Sequence, residues 1–216
     1  MTDGFAHLLQ SIRDCRVCAS HLPYAPNPIV RLHADARILL IGQAPGTKVH
    51  ATGIPWNDQS GDKLRAWLGV DRDTFYNEKL FAIMPMGFCY PGKGSSSDLA
   101  VAHGGARANR RHGWRSGDLP PRHECAPLWH LRVRSMLPNL RLTLLIGSYA
   151  VRHCLPHSAK LQVRDVLLKA DFKRAVYLPL VHPSPRNKLW LKQNPWFEAD
   201  VVPQLKRRIS DYLPAN

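Results

Sequence analysis

Four short apolar runs, residues 37–41, 80–86, 142–146 and 176–180, are spaced along the chain with helix-forming stretches between them. None alternates polar with apolar, so each reads as a strand buried on both faces, the situation of a parallel sheet rather than an exposed antiparallel one. Helical candidates fall at residues 63–68, 126–137 and 149–154. A helix at the start presents Phe5, Leu8, Leu9 and Ile12 on one stripe, and residues 196–212 form a closing amphipathic segment with a basic face. Strands alternating with helices predict a three-layer α/β/α sandwich around a four-stranded parallel sheet. Such sheets bind ligands just beyond the carboxyl ends of their strands. The two most distinctive loops of this sequence follow the first and the fourth apolar run.

The length of 216 residues suits one domain spanning 1–216. Thirty Lys and Arg face sixteen Asp and Glu, a net charge of +14 that favours a polyanionic partner, nucleic acid being the commonest. No apolar run reaches the length of a membrane span, and Met1-Thr2-Asp3-Gly4 does not open a secretory signal. The expectation is a cytoplasmic, monomeric protein with no membrane partner. Five cysteines in a reducing compartment point to thiol or metal chemistry instead of disulfides.

Cys15-Arg16-Val17-Cys18 is a CxxC pair, a spacing that turns two sulfurs toward one centre, and Cys89 and Cys125 lie downstream. Four thiolates suit a structural zinc ion or an iron–sulfur cluster. A redox CxxC expects a strand before it, whereas a helix precedes this one. Cys154 sits in an apolar helical context and reads as an inert buried thiol. The run from Gly87 to Gly94 nearly spells a nucleotide-binding P-loop, but Gly94 stands where Ser or Thr must reach the metal.

After the first apolar run comes Gly42-Gln43-Ala44-Pro45-Gly46, a loop whose backbone N–H groups can face a ligand. Next, Trp56-Asn57-Asp58 offers an indole, an amide and a carboxylate together. Asp62 reads as a helix-start residue. After the fourth run, His182-Pro183-Ser184-Pro185-Arg186-Asn187 presents an imidazole and a guanidinium on a proline-held, extended loop. Residues 91–122 lack hydrophobic periodicity and carry Lys93, Arg107, Arg110, Arg111, Arg115 and Arg122 with Trp114 among them. They read either as a solvated insertion or as a segment that tracks a phosphate backbone.

In this order and placement the motifs resemble those of the uracil-DNA glycosylase superfamily, over nearly the whole chain. Gly42–Gly46 looks like its first motif and HPSPRN, His182 to Asn187, like its second. The four cysteines resemble its iron–sulfur branches, although Cys89 and Cys125 stand further apart than is usual there. Asp98-Leu99 and Asp118-Leu119 bracket a stretch whose removal restores the shorter spacing, so a basic insertion is expected around residues 95–117.

The resemblance implies an enzyme of base-excision repair acting on DNA that carries uracil or another deaminated base, with a [4Fe–4S] cluster on Cys15, Cys18, Cys89 and Cys125, zinc being the alternative. It implies that a flipped base stacks on Trp56, beside Gly42, Ala44 and Asn57, while His182 donates to the departing base. Ser184, Arg186 and Asn187 would meet the DNA. Two departures stand out. Gln43 occupies a place where the branch nearest in cysteine layout has Glu, and Gln is no general base. Another iron–sulfur branch lacks that acid too and carries an Asp in the segment matching Asn57 to Asp62, so the resemblance makes Asp58 the candidate acid and leaves Gln43 to position water. The Asn that usually reads uracil is also missing from the region of Met84-Pro85-Met86. A DNA-binding member without catalysis, and a metal-stabilised hydrolase of another substrate, are the competing readings.

Overall fold

The computed structural model describes residues 2–94, 117–158 and 160–213. Strands β1 (Ile38–Ile41), β2 (Phe81–Ile83), β5 (Leu142–Ile146) and β6 (Tyr177–Leu180) form one parallel sheet in the order β2-β1-β5-β6. Their registers pair Leu39 with Ala82, Leu39 with Thr143, and Leu144 with Leu178. Every residue of β1 and β5 is buried, as unbroken apolar runs demand.

The pleat divides these side chains between two cores. Ile38 and Leu40 point into one, packed with α3 (Gln59–Leu68) through Leu64 and Leu68 and with α9 (Val202–Ser210) through Leu205 and Ile209. Leu39 and Ile41 point into the other, against Leu8 and Ile12 of α1 (Thr2–Arg13), Trp129 and Val133 of α5 (Cys125–Ser135), and Val151 of α6 (Ser148–Cys154). Helices thus cover both faces, and the three-layer α/β/α sandwich is observed. Shorter helices, α2 (Thr47–Thr52), α4 (Arg72–Tyr76), α7 (Val163–Leu168) and α8 (Lys188–Gln193), complete the connections.

The closing amphipathic segment is helical, with a π turn at Phe197–Val201 running directly into α9, and Phe197 and Val201 are both in the core. One feature departs from the sequence expectation. A two-residue ladder, β3 (Lys93–Gly94) with β4 (Gly117–Asp118), runs antiparallel outside the main sheet. The expected insertion, with Arg107, Arg110, Arg111, Trp114 and Arg115, lies outside the described residues, but the chain on either side of it is paired: Lys93 with Asp118 and Gly94 with Gly117. Gly94 therefore ends in a strand, in keeping with the rejection of a P-loop.

Candidate active site

The hydrogen-bond ladder between β1 and β2 does not stop where the strands do. The Gly42 and Gln43 carbonyls accept from the Met86 and Gly87 N–H groups at 2.9 and 3.0 Å, which pins the first motif against the end of β2. Beyond this edge lies a cavity of about 390 Å3 at the carboxyl ends of the strands. Gly42, Gln43, Ala44, Trp56, Asp58, His182, Ser184, Arg186 and Asn187 all contribute to its wall. Of the site residues expected from sequence, Asn57 is not brought there; its side-chain oxygen accepts from Arg72 at 3.1 Å.

The glycines of the first motif serve close approach, not a left-handed turn. Neither Gly42 nor Gly46 has positive φ. A Cβ on Gly42 would stand 2.8 Å from the Trp56 ring, and one on Gly61 would collide with the Trp56 carbonyl. Trp56 itself has φ of 58°, the left-handed region that non-glycine residues seldom enter. Its flanking carbonyls are held in place: Tyr76 donates to Pro55 O at 2.8 Å and Arg65 to Trp56 O at 3.3 Å. The indole so placed rests against His182, with ring centroids 5.5 Å apart.

His182 follows β6. Its Nδ1 accepts from the Ser184 N–H at 3.2 Å, and its carbonyl accepts from the Asn187 side chain at 2.7 Å. An acceptor at Nδ1 leaves the proton of the neutral ring on Nε2. Burial drives the imidazole's pKa down from 6.5 to about 4, with Asp58 opposing, so the ring is neutral at pH 7. The loop is not extended throughout: Pro185–Asn187 is a 3-10 turn capped by the Ser184 hydroxyl, since proline's fixed φ suits the first helical position. Ser184 and Asn187 thereby shape the loop that carries His182. Arg186 lies across the backbone of Gly117.

Asp58 is the N-cap of α3, its Oδ1 accepting from the Gly61 N–H at 2.9 Å, and it also lines the cavity. Asp62 is mostly exposed and pairs with Arg65. The residue that sequence reasoning missed is Asp118, on β4 at the rim of the cavity. Burial raises its pKa; Arg186 and Lys93 pull it down, and Asp58 pushes it up again. Asp118 appeared in the sequence as a marker of the insertion's edge, and a lone Asp beside a basic segment gives no signal of its own. In the region of Met84-Pro85-Met86, Pro85 lines the cavity, and its carbonyl pairs with Nε2 of buried His130 at 3.0 Å.

Apart from this pocket, Cys15, Cys18, Cys89 and Cys125 line one small cavity with Leu22, Pro26, Pro28, Phe88 and Trp129. Burial lifts the thiol of Cys89 to about 11 and that of Cys125 to about 12. Arg122 pairs with Glu124, and its guanidinium counteracts in part the rise that burial imposes on the Cys18 thiol. The Trp129 indole N–H is buried with no partner. Among the described residues no three His, Cys, Asp or Glu converge as ligands of a single metal ion.

A parallel sheet with a pocket at its carboxyl edge, walled by an indole, a neutral imidazole and carboxylates, defines an α/β protein whose binding site lies beyond the strand ends. The family model described as Uracil DNA glycosylase superfamily matches residues 30–206, and the chain belongs to that superfamily. The family gives it a DNA glycosylase-like function in general and implies binding of DNA. No helix among the described residues is long and apolar enough to cross a membrane.

Proposed function

We propose that the protein hydrolyses the N-glycosidic bond of uracil or another deaminated base flipped out of DNA, as a monofunctional glycosylase of base-excision repair. The observation that carries this reading is the tautomer of His182: a neutral, half-buried imidazole with its proton on Nε2, beside the indole of Trp56. Breaking the bond leaves its electron pair on the base, and a preorganised donor meets the charge as it develops. An imidazolium would be costly to bury, whereas the neutral ring is ready to donate. Trp56 supplies the stacking face, and the backbone of Gly42 and Ala44 faces the base edge. Gln43 orients water through its amide. Asp58, with Oδ1 committed to its helix, turns its second oxygen to the sugar. Ser184, Arg186 and Asn187 form the loop that meets the DNA strand.

The test is release of free base from oligonucleotides carrying uracil, hypoxanthine or xanthine. Release from at least one, lost on His182→Ala, is the expected result; no release from any would overturn the reading. A second reading, a member that binds damaged or single-stranded DNA without cleaving it, draws on Gln43 standing where an acid is usual. Tight binding without release across the same substrates would favour it.

The four cysteines fit a [4Fe–4S] cluster. Thiols from three chain segments share one apolar-walled cavity, and an unpartnered indole N–H and the Arg122 guanidinium are at hand as donors to sulfur. The bound group would supply four iron–thiolate bonds tying the arm after α1 to the end of β2 and the start of α5.

A further inference from the structure

We propose that Asp118 is a second acidic residue of the active site, facing the sugar of the flipped nucleotide; this rests on the glycosylase reading above. Trp56, His182 and Asp118 all line the pocket, but Trp56 and His182 are half-buried against each other whereas Asp118 is exposed. A planar base goes to the two rings, and its deoxyribose stays on the exposed side with Asp118. When the C1′–N bond breaks, its electron pair leaves with the base and the sugar ring is left cationic. Water then bonds C1′ through its oxygen, and its proton neutralises the base anion, so both carboxylates end unchanged. A carboxylate at the rim stabilises the cation through the whole passage.

The placement of Asp118 is built. The β3–β4 pairing fixes its backbone opposite Lys93. Gly46 leaves room for it, since a Cβ there would lie 3.3 Å from Asp118 Oδ2. Buried Gly117 leaves room for the Arg186 guanidinium, which an added Cβ would strike. Arg186 and Lys93 both act on the Asp118 carboxyl, so its charge is set beside two cations that suit the flanking phosphates. Asp58 is close enough to act on it as well, so two acids flank the same space. Asp58 divides its carboxylate between this space and the cap of α3, while Asp118 is held on a strand.

The test compares the full-length protein with Asp118→Asn. Each is titrated with one oligonucleotide carrying a cationic pyrrolidine abasic analogue and with its neutral tetrahydrofuran counterpart. The wild type should prefer the cationic analogue by about tenfold or more, and Asp118→Asn should reduce that preference about fivefold with the neutral analogue bound as before. An unchanged preference in Asp118→Asn, or none in the wild type, overturns the inference. Base release measured alongside separates the two readings. If the wild type releases no base while the preference falls in the variant, the hydrolase reading fails and Asp118 keeps its place. If release is equal in both proteins and the preference is unmoved, Asp118 fails and the hydrolase reading stands.

Discussion

The backbone N–H of Ser184 donates to Nδ1 of His182, and this one bond sets which nitrogen of the imidazole carries the proton. Burial then keeps the ring neutral, with a pKa near 4. Base release should therefore not lose activity through a titration near 6.5, the value of a free imidazole, as pH falls from 7.5 to 6. His182→Ala should slow single-turnover release about a hundred- to a thousandfold, with affinity for a tetrahydrofuran-containing duplex retained. An acid limb centred near 6.5 would show that the ring is not held neutral.

The same burial makes stability depend on pH. His182 and His130 both sit near 4 in the folded protein, against 6.5 unfolded, because burial disfavours their charged forms. Between those values the unfolded chain binds more protons, so stability is fully present above about 6.5 and drains away as pH falls toward 4. Urea midpoints measured from pH 7.5 down to 4.5 should fall, and His130→Phe should flatten the slope.

Asp58 holds two posts, helix cap and cavity wall, and one substitution separates them. Asn caps as well as Asp, so Asp58→Asn should leave the melting temperature almost unchanged while base release drops about tenfold or more. Asp58→Ala should lose the activity and about 1 kcal/mol of stability besides. Full activity in Asp58→Asn would remove the residue from the chemistry.

Two glycines make room for Trp56 in different ways. A Cβ at Gly61 meets the Trp56 backbone, which cannot yield, so Gly61→Ala should destabilise the fold by about 1–3 kcal/mol or more. A Cβ at Gly42 meets the indole ring instead. Gly42→Ala should keep more of the stability and lose base release as the stacking face moves. Thermal melts beside release assays on both variants check the contrast.

Anaerobically purified protein should be brown, with about four iron and four sulfide per chain, and Cys89→Ser should abolish the colour and lower the melting temperature. A colourless preparation holding stoichiometric zinc would give the site to the other metal.

Much of this architecture was legible in the sequence because burial on both faces leaves unbroken apolar runs. All four main strands fall inside the stretches read for them, each trimmed by a residue or more except Leu142–Ile146, which coincides. The short helices α2, α4, α7 and α8 escaped notice, being too brief to establish a 3.6-residue period. At the site, Gly42–Gly46 and His182–Asn187 could be located because loops at strand ends carry distinctive residues. What their side chains do there was not readable. Asn57 turns away to Arg72, and Asn187 clasps the His182 carbonyl, both through partners set by tertiary packing. Asp118 was invisible for a related reason: its partners, Arg186 and Asp58, are far away along the chain.

The ladder of Lys93–Gly94 with Gly117–Asp118 also has a practical meaning. Departure and return of the chain are neighbours in space there, and closing a loop between neighbours grows dearer only slowly with its length. The ladder is thus a graft point, where a fluorophore-bearing tag or a whole folded module could be spliced in without redrawing the cavity beside it. Such a fusion would report from the rim of the pocket, one residue away from the carboxylate of Asp118.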